Sequence, residues 1–526
     1  MTDSADTSAA RPHVADHAPA PRRAHNYMAG VVTGYAVISL AVVVNLWLTP
    51  FTLRFLDRDE YALFVFSNDL LSWLVLLDLG MTMGLRSQAA QLTGRPDRLM
   101  MMNRLASTTF FTQLVLALLM FMAGGVVAAF APRVFHVRVD LQGQASLLLL
   151  LLALGMLVNF ATQSFSSLLF AHQQIHYDNL IRIAQLVARA VITVALLLNG
   201  WKVLSLAVAS LVSVSLFSLL SVVRAYMAVP GLKISRGLAS RALLWSDLKE
   251  LHLWYAASNT AGAVIQSTDR IIAARMVSLA SVTTLALTGR AYELALLLLT
   301  PLTAAAQPAV GQLLGEGKRE AAFDAYKQLT LLSTGTGAVA ALSLWSGNAA
   351  FVTRWVGAEN YGSANLDALM MLNLMLFSWV MPHRMALIVG LRARPQSLTR
   401  VAEGLLNLCL SVLLALRYGL VGIAAATALA SALTSCWQLP RLAANYFGRG
   451  AREVLRETAA PLVLPLLALA ALAACMRFFV AARGGYMSAL LAMFTVGACG
   501  ITMLWCFTFD AKMRARVWNL ARWSNL

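Results

Sequence analysis

The chain predicts an all-α integral membrane protein of about 14 transmembrane helices, and three observations carry that prediction. Apolar runs of about twenty residues, the length that crosses a bilayer, recur from Tyr27 to the neighbourhood of Cys506. The composition is 59% hydrophobic and 12% charged with a mean hydropathy of +0.69, far more apolar than a soluble domain. Basic residues are segregated by loop in the manner of a membrane topology signal.

Spans are expected near 28–53, 61–85, 105–131, 145–171, 177–199, 203–223, 251–274, 279–311, 328–347, 365–391, 397–416, 419–440, 459–480 and 486–508. With the N-terminus placed in the cytoplasm, 27 of the 41 Lys and Arg fall on the cytoplasmic side and 10 on the other, with Arg189, Arg270, Arg290 and Arg384 inside spans. That bias is the positive-inside pattern, and an even number of spans puts both termini on the cytoplasmic side. The net charge of +17 is therefore read as meeting anionic lipid headgroups. No single basic domain exists to bind nucleic acid.

Five cysteines, at 409, 436, 475, 499 and 506, lie in or at spans without CxxC spacing. They read as small packing residues, and neither a disulfide framework nor a metal site is expected. No cofactor is expected.

The expected organisation is a disordered cytoplasmic tail over 1–26, an N-lobe of six spans over 27–225 and a basic cytoplasmic linker over 226–250. A C-lobe of six spans over 251–441, a pair of appended spans over 442–510 and a basic tail over 511–526 follow. The tail lacks an apolar core and is not a signal peptide. The two lobes form a weak internal repeat. Gln91-Leu92-Thr93-Gly94-Arg95 follows span two, and Gln312-Leu313-Leu314-Gly315-Glu316 follows span eight at an offset of 221. Six spans per half give repeats of the same orientation, related by a pseudo-twofold axis along the membrane normal with a central cavity between them.

No HExxH, GxSxG, Walker A or GxGxxG signature stands in its required context, and no enzyme is expected. Function is sought instead in polar side chains within spans, which are costly in hydrocarbon. Span five carries Arg182, Gln185 and Arg189 on one helical face. Span seven carries Asp269-Arg270, and span eight carries Arg290 and Glu293 at i and i+3. These read either as structural ion pairs or as cations facing an aqueous cavity, where guanidinium suits phosphate. His383-Arg384 lie in the inner half of span ten, with His383 read as a packing residue. Asp69 and Asp78 lie in span two. Asn45, Asn159 and Gln163 offer hydrogen bonds to a sugar or between helices. Glu403 is read as interfacial.

Arg58-Asp59-Glu60-Tyr61-Ala62-Leu63, then Leu76-Leu77-Asp78-Leu79-Gly80-Met81 and Arg86, resemble the first hairpin of bacterial polysaccharide-export flippases. These form the oligosaccharide-flippase branch of the multidrug/oligosaccharidyl-lipid/polysaccharide superfamily. Asp269-Arg270 resembles that family's acidic–basic pair in span seven, and Trp355-Val356-Gly357 with Asn360-Tyr361 resembles its loop between spans nine and ten.

The resemblance implies a monomer in the bacterial inner membrane, working by alternating access on a polyprenyl-diphosphate-linked oligosaccharide. The cargo would be a precursor of capsule, exopolysaccharide or O-antigen, and polysaccharide polymerase or export machinery is a possible partner. Arg189, Arg270, Arg290 and Arg384 would attract the diphosphate, with Asn45, Gln163 and Gln185 lining the cavity. Asp78, Asp269 and Glu293 would serve coupling or ion pairing. The competing readings are a cation-coupled drug exporter and a lipid II flippase. Span one lacks the acidic residue typical of the former, and the first two spans lack the interior arginine typical of the latter.

Overall fold

A computed structural model describes residues 20–72, 74, 98–135, 137–171, 174–240, 250–315, 317–390, 392–509 and 514. The described elements are helices, with no strand among them. They run α1 (Ala20–Thr52), α2 (Arg58–Ser72), α3 (Arg98–Val134), α4 (Val139–Ala171), α5 (Ile175–Leu198) and α6 (Leu204–Ala228). After the linker come α7 (Glu250–Ile272), α8 (Leu279–Gly315), α9 (Arg319–Val356), α10 (Ala364–Val389) and α11 (Ala393–Leu433). α12 (Ser435–Phe447), α13 (Ala451–Thr458), α14 (Ala460–Arg483) and α15 (Tyr486–Met503) complete the chain. α1 begins inside the stretch read as a tail. Asp78 lies outside the described residues.

Among the described residues, eleven stretches of helix are long and apolar enough to cross a membrane. One of these, 394–447, makes two passes, because α11 reverses at Gly419, whose φ of 56° and ψ of −133° are open to glycine and strained for other residues. α2, described over 15 residues, and the more polar α7 supply further passes. Large apolar side chains cover the outside: Phe478 is 78% exposed, Leu464 77% and Met487 76%. A face of that kind is stable against lipid and not against water.

The face with loops 53–57, 199–203 and 357–363 is here the upper face, and that with loops 229–240 and 448–450 the lower. α1 and α3–α6 pack into one lobe, while α7–α12 form the other, with α9 carrying the α14–α15 hairpin. α2 bridges the lobes, packing on α4 and on both α7 and α8. It starts with a capping box: Asp57 Oδ1 accepts from Glu60 N–H at 2.7 Å, and Glu60 Oε2 accepts from Asp57 N–H at 2.9 Å. Glu60 is buried and also meets Lys202 at 3.3 Å.

The described contacts joining the lobes lie at or above mid-height. Ala62 and Phe66 pack with Ile272, Val282, Leu285 and Ile423 in one apolar cluster. Arg58 donates to Thr284 at 2.6 Å, and Trp355 Nε1 donates to the Leu46 carbonyl at 2.8 Å. Apolar clusters near the lower face each belong to one lobe, such as Met102–Phe165–Leu232 and Phe323–Tyr326–Phe447. The molecule is thus closed above.

On the lower side the linker lies along α3. Asn103 donates to the Gly231 carbonyl at 3.1 Å and accepts from Lys233 N–H at 3.0 Å. Ser107 accepts from Ser235 N–H at 3.1 Å and Thr108 from Ser240 N–H at 2.9 Å. Below α12, Arg449 pairs with Glu320 and Glu453. Its hydrogen bond holds the Glu453 carboxyl below the ordinary range.

The α14–α15 hairpin docks closely on α9 at Gly347. A Cβ there would stand 2.6 Å from the Ala489 carbonyl oxygen, a backbone atom with no rotamer to retreat into. Gly347→Ala is expected to destabilise the fold by about 1–3 kcal/mol, as overpacking does. Thermal unfolding in detergent measures this as a lowered Tm.

Candidate functional site

A chain of charges crosses between the lobes near mid-height. Arg270 on α7 donates through Nη1 to both carboxylate oxygens of Asp69 on α2, each at 3.1 Å. Its Nη2 is paired with Glu293 on α8. Glu293 in turn accepts from Arg290 at 3.3 Å, one helical turn away. Asp69 and Arg270 side chains are 14% and 20% exposed, so the low dielectric strengthens the contacts while desolvation costs each ion. The expected Arg290–Glu293 pair is therefore present, and the neighbour of Arg270 is Asp69 as well as Glu293.

Asp269 and Arg270 are adjacent in sequence and point about 100° apart around α7, as helical geometry requires. Arg270 faces α2 and α8, while Asp269 faces α11. Thr427 donates to Asp269 Oδ2 at 3.1 Å, and Asn407 donates to Thr427 at 2.9 Å. The reversal at Gly419 makes this possible by folding the arm with Asn407 and Ser411 back against the arm with Thr427. Asp269 Oδ1, Asn407 Oδ1 and Ser411 Oγ are buried and make no hydrogen bond of acceptable geometry, although Ser411 sits beside Asp269. One carboxylate, one amide oxygen and two hydroxyls form an all-oxygen set with a single negative charge. Such hard, weakly charged donors suit a monovalent alkali cation better than zinc or another soft metal.

A cavity of about 610 Å³ opens beside these groups, lined by α2, α7, α8, α10 and α11. Asp69, Asp269, Glu293 and Glu403 line it together with Arg270 and Arg400. Its described charged lining is therefore richer in carboxylates than in guanidiniums, and most of it belongs to the second lobe.

The remaining predicted residues lie outside this lining. Arg189 on α5 is half-buried, with no hydrogen bond or ion pair among the described residues, and lies close enough to Arg290 for their like charges to interact. Gln185 lies one turn below it and is half-buried. Asn45 donates to the Ala41 carbonyl of its own helix at 2.7 Å. The Gln163 backbone carbonyl accepts from Ser167, and its side chain is half-buried. Arg384 lies in electrostatic range of Arg400 and Glu403, with its Nε buried and unbonded. His383 is fully buried and bonded to the Tyr326 hydroxyl at 2.7 Å, the packing role expected of it.

Glu403 corrects an expectation. It is not interfacial: its side chain is 5% exposed and accepts from Arg400 at 2.8 Å and from Ser435 at 2.6 Å. Gly262 on α7 leaves room for the Arg400 guanidinium, 3.5 Å from where a Cβ would stand. The i, i+3 spacing of Arg400 and Glu403 was the available signal. Sequence reading also passed over Asn407 and Ser411, at i and i+4 on an apolar helix, and over Tyr292, Asp367 and Arg477, which meet only in three dimensions.

No protein-family model matches the chain, and no curated protein matches it. Solved structures do match in fold. The lipid II flippase MurJ in an inward closed conformation aligns with a TM-score of 0.64 at 12% identity, over 90% of this chain and 97% of that one. An inward-facing MATE multidrug resistance transporter of the MOP superfamily gives 0.60 at 15% identity, over 78% and 94%. A MOP superfamily transporter from Pyrococcus furiosus, for which a reversed polarity of the binding pocket suggests a different function, gives 0.57 at 14% identity, over 79% and 96%. At these identities the likeness is one of fold: the helical arrangement is the one these transporters share.

Arg270→Met leaves Asp69 and Glu293 facing each other without their shared cation. The expected result is a loss of about 3 kcal/mol of stability, the cost of breaking a buried pair from one side. Adding Asp69→Asn recovers much of it. Thermal unfolding of the single and double variants measures both.

Proposed function

We propose that the chain is a membrane transporter that moves a polyprenyl-diphosphate-linked oligosaccharide between leaflets by alternating access, coupled to a monovalent cation. The observation that supports the cargo class is that Arg189 from the first lobe lies within electrostatic range of Arg290 from the second. With Arg270 they set three guanidiniums against the carboxylates of Asp69 and Glu293. Like charges held together away from bulk water favour an anion between them, and a diphosphate accepts bidentate guanidinium bonds.

The positive-inside count supports a cytoplasmic lower face; on this reading the lobes are joined on the far side and a headgroup made in the cytoplasm enters from below. Transport then requires the contacts of Ala62, Phe66, Arg58 and Trp355 to open while the lower halves approach. The lipid tail stays in the bilayer. The setting is the bacterial inner membrane, and one chain contains both lobes, so a monomer suffices. Polysaccharide polymerase or export machinery is the natural receiver of the cargo.

The carboxylate excess of the cavity favours a second reading, export of a cationic small molecule. A coupling cation in the oxygen cluster at Asp269, which faces the same cavity, offsets one of the two surplus carboxylates, and Arg290, outside the lining, pairs with Glu293. Lipid II is a further cargo of the same chemical class, since it too joins a sugar to a lipid through a diphosphate.

Deleting the gene and following lipid-linked sugars by mass spectrometry, with leaflet accessibility probed in vesicles, tests the proposal. A completed lipid-linked oligosaccharide should accumulate on the cytoplasmic face and be cleared by wild type. Arg189→Ala and Arg290→Ala should each clear it about tenfold more slowly, as loss of one charge-assisted contact predicts. An unchanged lipid-linked pool overturns the cargo and turns attention to drug susceptibility. Separately, Asp269→Asn should abolish the dependence of transport on a sodium gradient. If wild-type transport ignores sodium, the coupling cation is not sodium.

A further inference from the structure

Asp367 stands on the first turn of α10 and is 0% exposed. Four donors converge on its carboxylate. The Tyr292 hydroxyl from α8 reaches Oδ1 at 2.9 Å and Asn348 Nδ2 from α9 reaches it at 2.7 Å. The Tyr361 hydroxyl reaches Oδ2 at 3.1 Å and Arg477 Nη1 from α14 reaches it at 2.7 Å. Arg477 also donates to the Tyr361 hydroxyl at 3.0 Å and to the Trp345 carbonyl, and lies against the Trp345 ring. The ion pair is thus held by groups from both sides of the α9–α14 interface.

Tyr292 belongs to this network and also to the cavity wall, next to Glu293. Its side chain is buried against Ala341 and Leu374, and among the described residues its hydroxyl's partner is Asp367. Removal of the guanidinium would leave that carboxylate with three neutral donors, Tyr292, Asn348 and Tyr361, and no counter-ion, at a depth where an unpaired charge is costly. The carboxylate would shift toward its remaining donors, and the acceptor that orients Tyr292 moves with it.

We propose that Arg477 is a positioning residue for the transport cavity, acting through Asp367 on Tyr292. The α14–α15 hairpin, which the sequence presents as an appendage to a complete pair of lobes, thereby shapes the wall that the cargo or its coupling ion meets. This rests on the cavity and on no particular cargo, so its test needs no transport assay.

The test uses the full-length protein with its five cysteines replaced by alanine and a single reporter, Leu296→Cys, which lines the cavity one turn from Tyr292. The rate at which the charged thiol reagent MTSET modifies Cys at that position is measured alongside Tm. Tyr292→Phe and Arg477→Met should each change the rate by about threefold or more, and the double variant should add nothing further, because both act on one contact. Arg477→Lys, which keeps the charge and loses the fork, should fall between wild type and Arg477→Met. If Arg477→Met does not fold, Tyr292→Phe, Arg477→Lys and their double variant carry the same comparison. A lowered Tm with unchanged labelling would overturn the proposal and leave Arg477 as an anchor only. Independent, multiplying effects of the two substitutions would overturn it as well.

Discussion

The Arg270 guanidinium joins carboxylates that come from different lobes, and much else follows from where it sits. Without it, Asp69 and Glu293 would bring like charges together inside a low-dielectric interface. With it, α2 is drawn against α7 and α8 just below the apolar cluster of Ala62, Phe66 and Ile272. The upper closure therefore has two layers, a dry one above and an ionic one below. The ionic layer borders the cavity, so a ligand that competes for Arg270 acts directly on the contact that holds the lobes together.

The polar machinery is distributed unequally. α7, α8, α10 and α11 supply most of the cavity lining and the whole oxygen cluster around Asp269. The other lobe contributes Asp69 through α2, and the unpaired Arg189 through α5. The proposed anion and cation sites thus both lean on neighbouring residues of one helix, α7, with Arg270 on one side and Asp269 on the other. A small rotation of that helix would move both sites at once. The π-helical turn over Ala273–Val277, at its upper end, is a place where such a rotation can be absorbed.

The spans were legible because bilayer thickness sets a length that hydrophobic runs must meet, and the basic loops gave their order. Local pairs were legible too: Arg290 and Glu293 lie one turn apart, and the pairing was expected. Contacts set by tertiary packing were not. Asp69 and Arg270 are separated by 201 positions, and Arg477 and Asp367 by 110. Arg477 stands near the end of the expected span 459–480, and nothing in the sequence points it to Asp367. Glu403 looked interfacial because it stands near the start of a span, but α11 begins at Ala393 and α7 covers that first stretch. The oxygen cluster escaped notice because only one of its members is charged, and Asn407, Ser411 and Thr427 resemble ordinary interhelical packing until the turn at Gly419 brings them together.

The stitching of the linker onto α3 has a mechanical consequence. Among the described residues, Ser240 is the last one bonded to the first lobe, and α7 begins at Glu250. Ten residues of chain reach about 35 Å at full extension. The lower ends of the lobes are thus leashed by a strap much shorter than the 21 residues between α6 and α7 would allow. A strap of that length permits rocking about the upper contacts while capping how far the lower ends of the lobes can part.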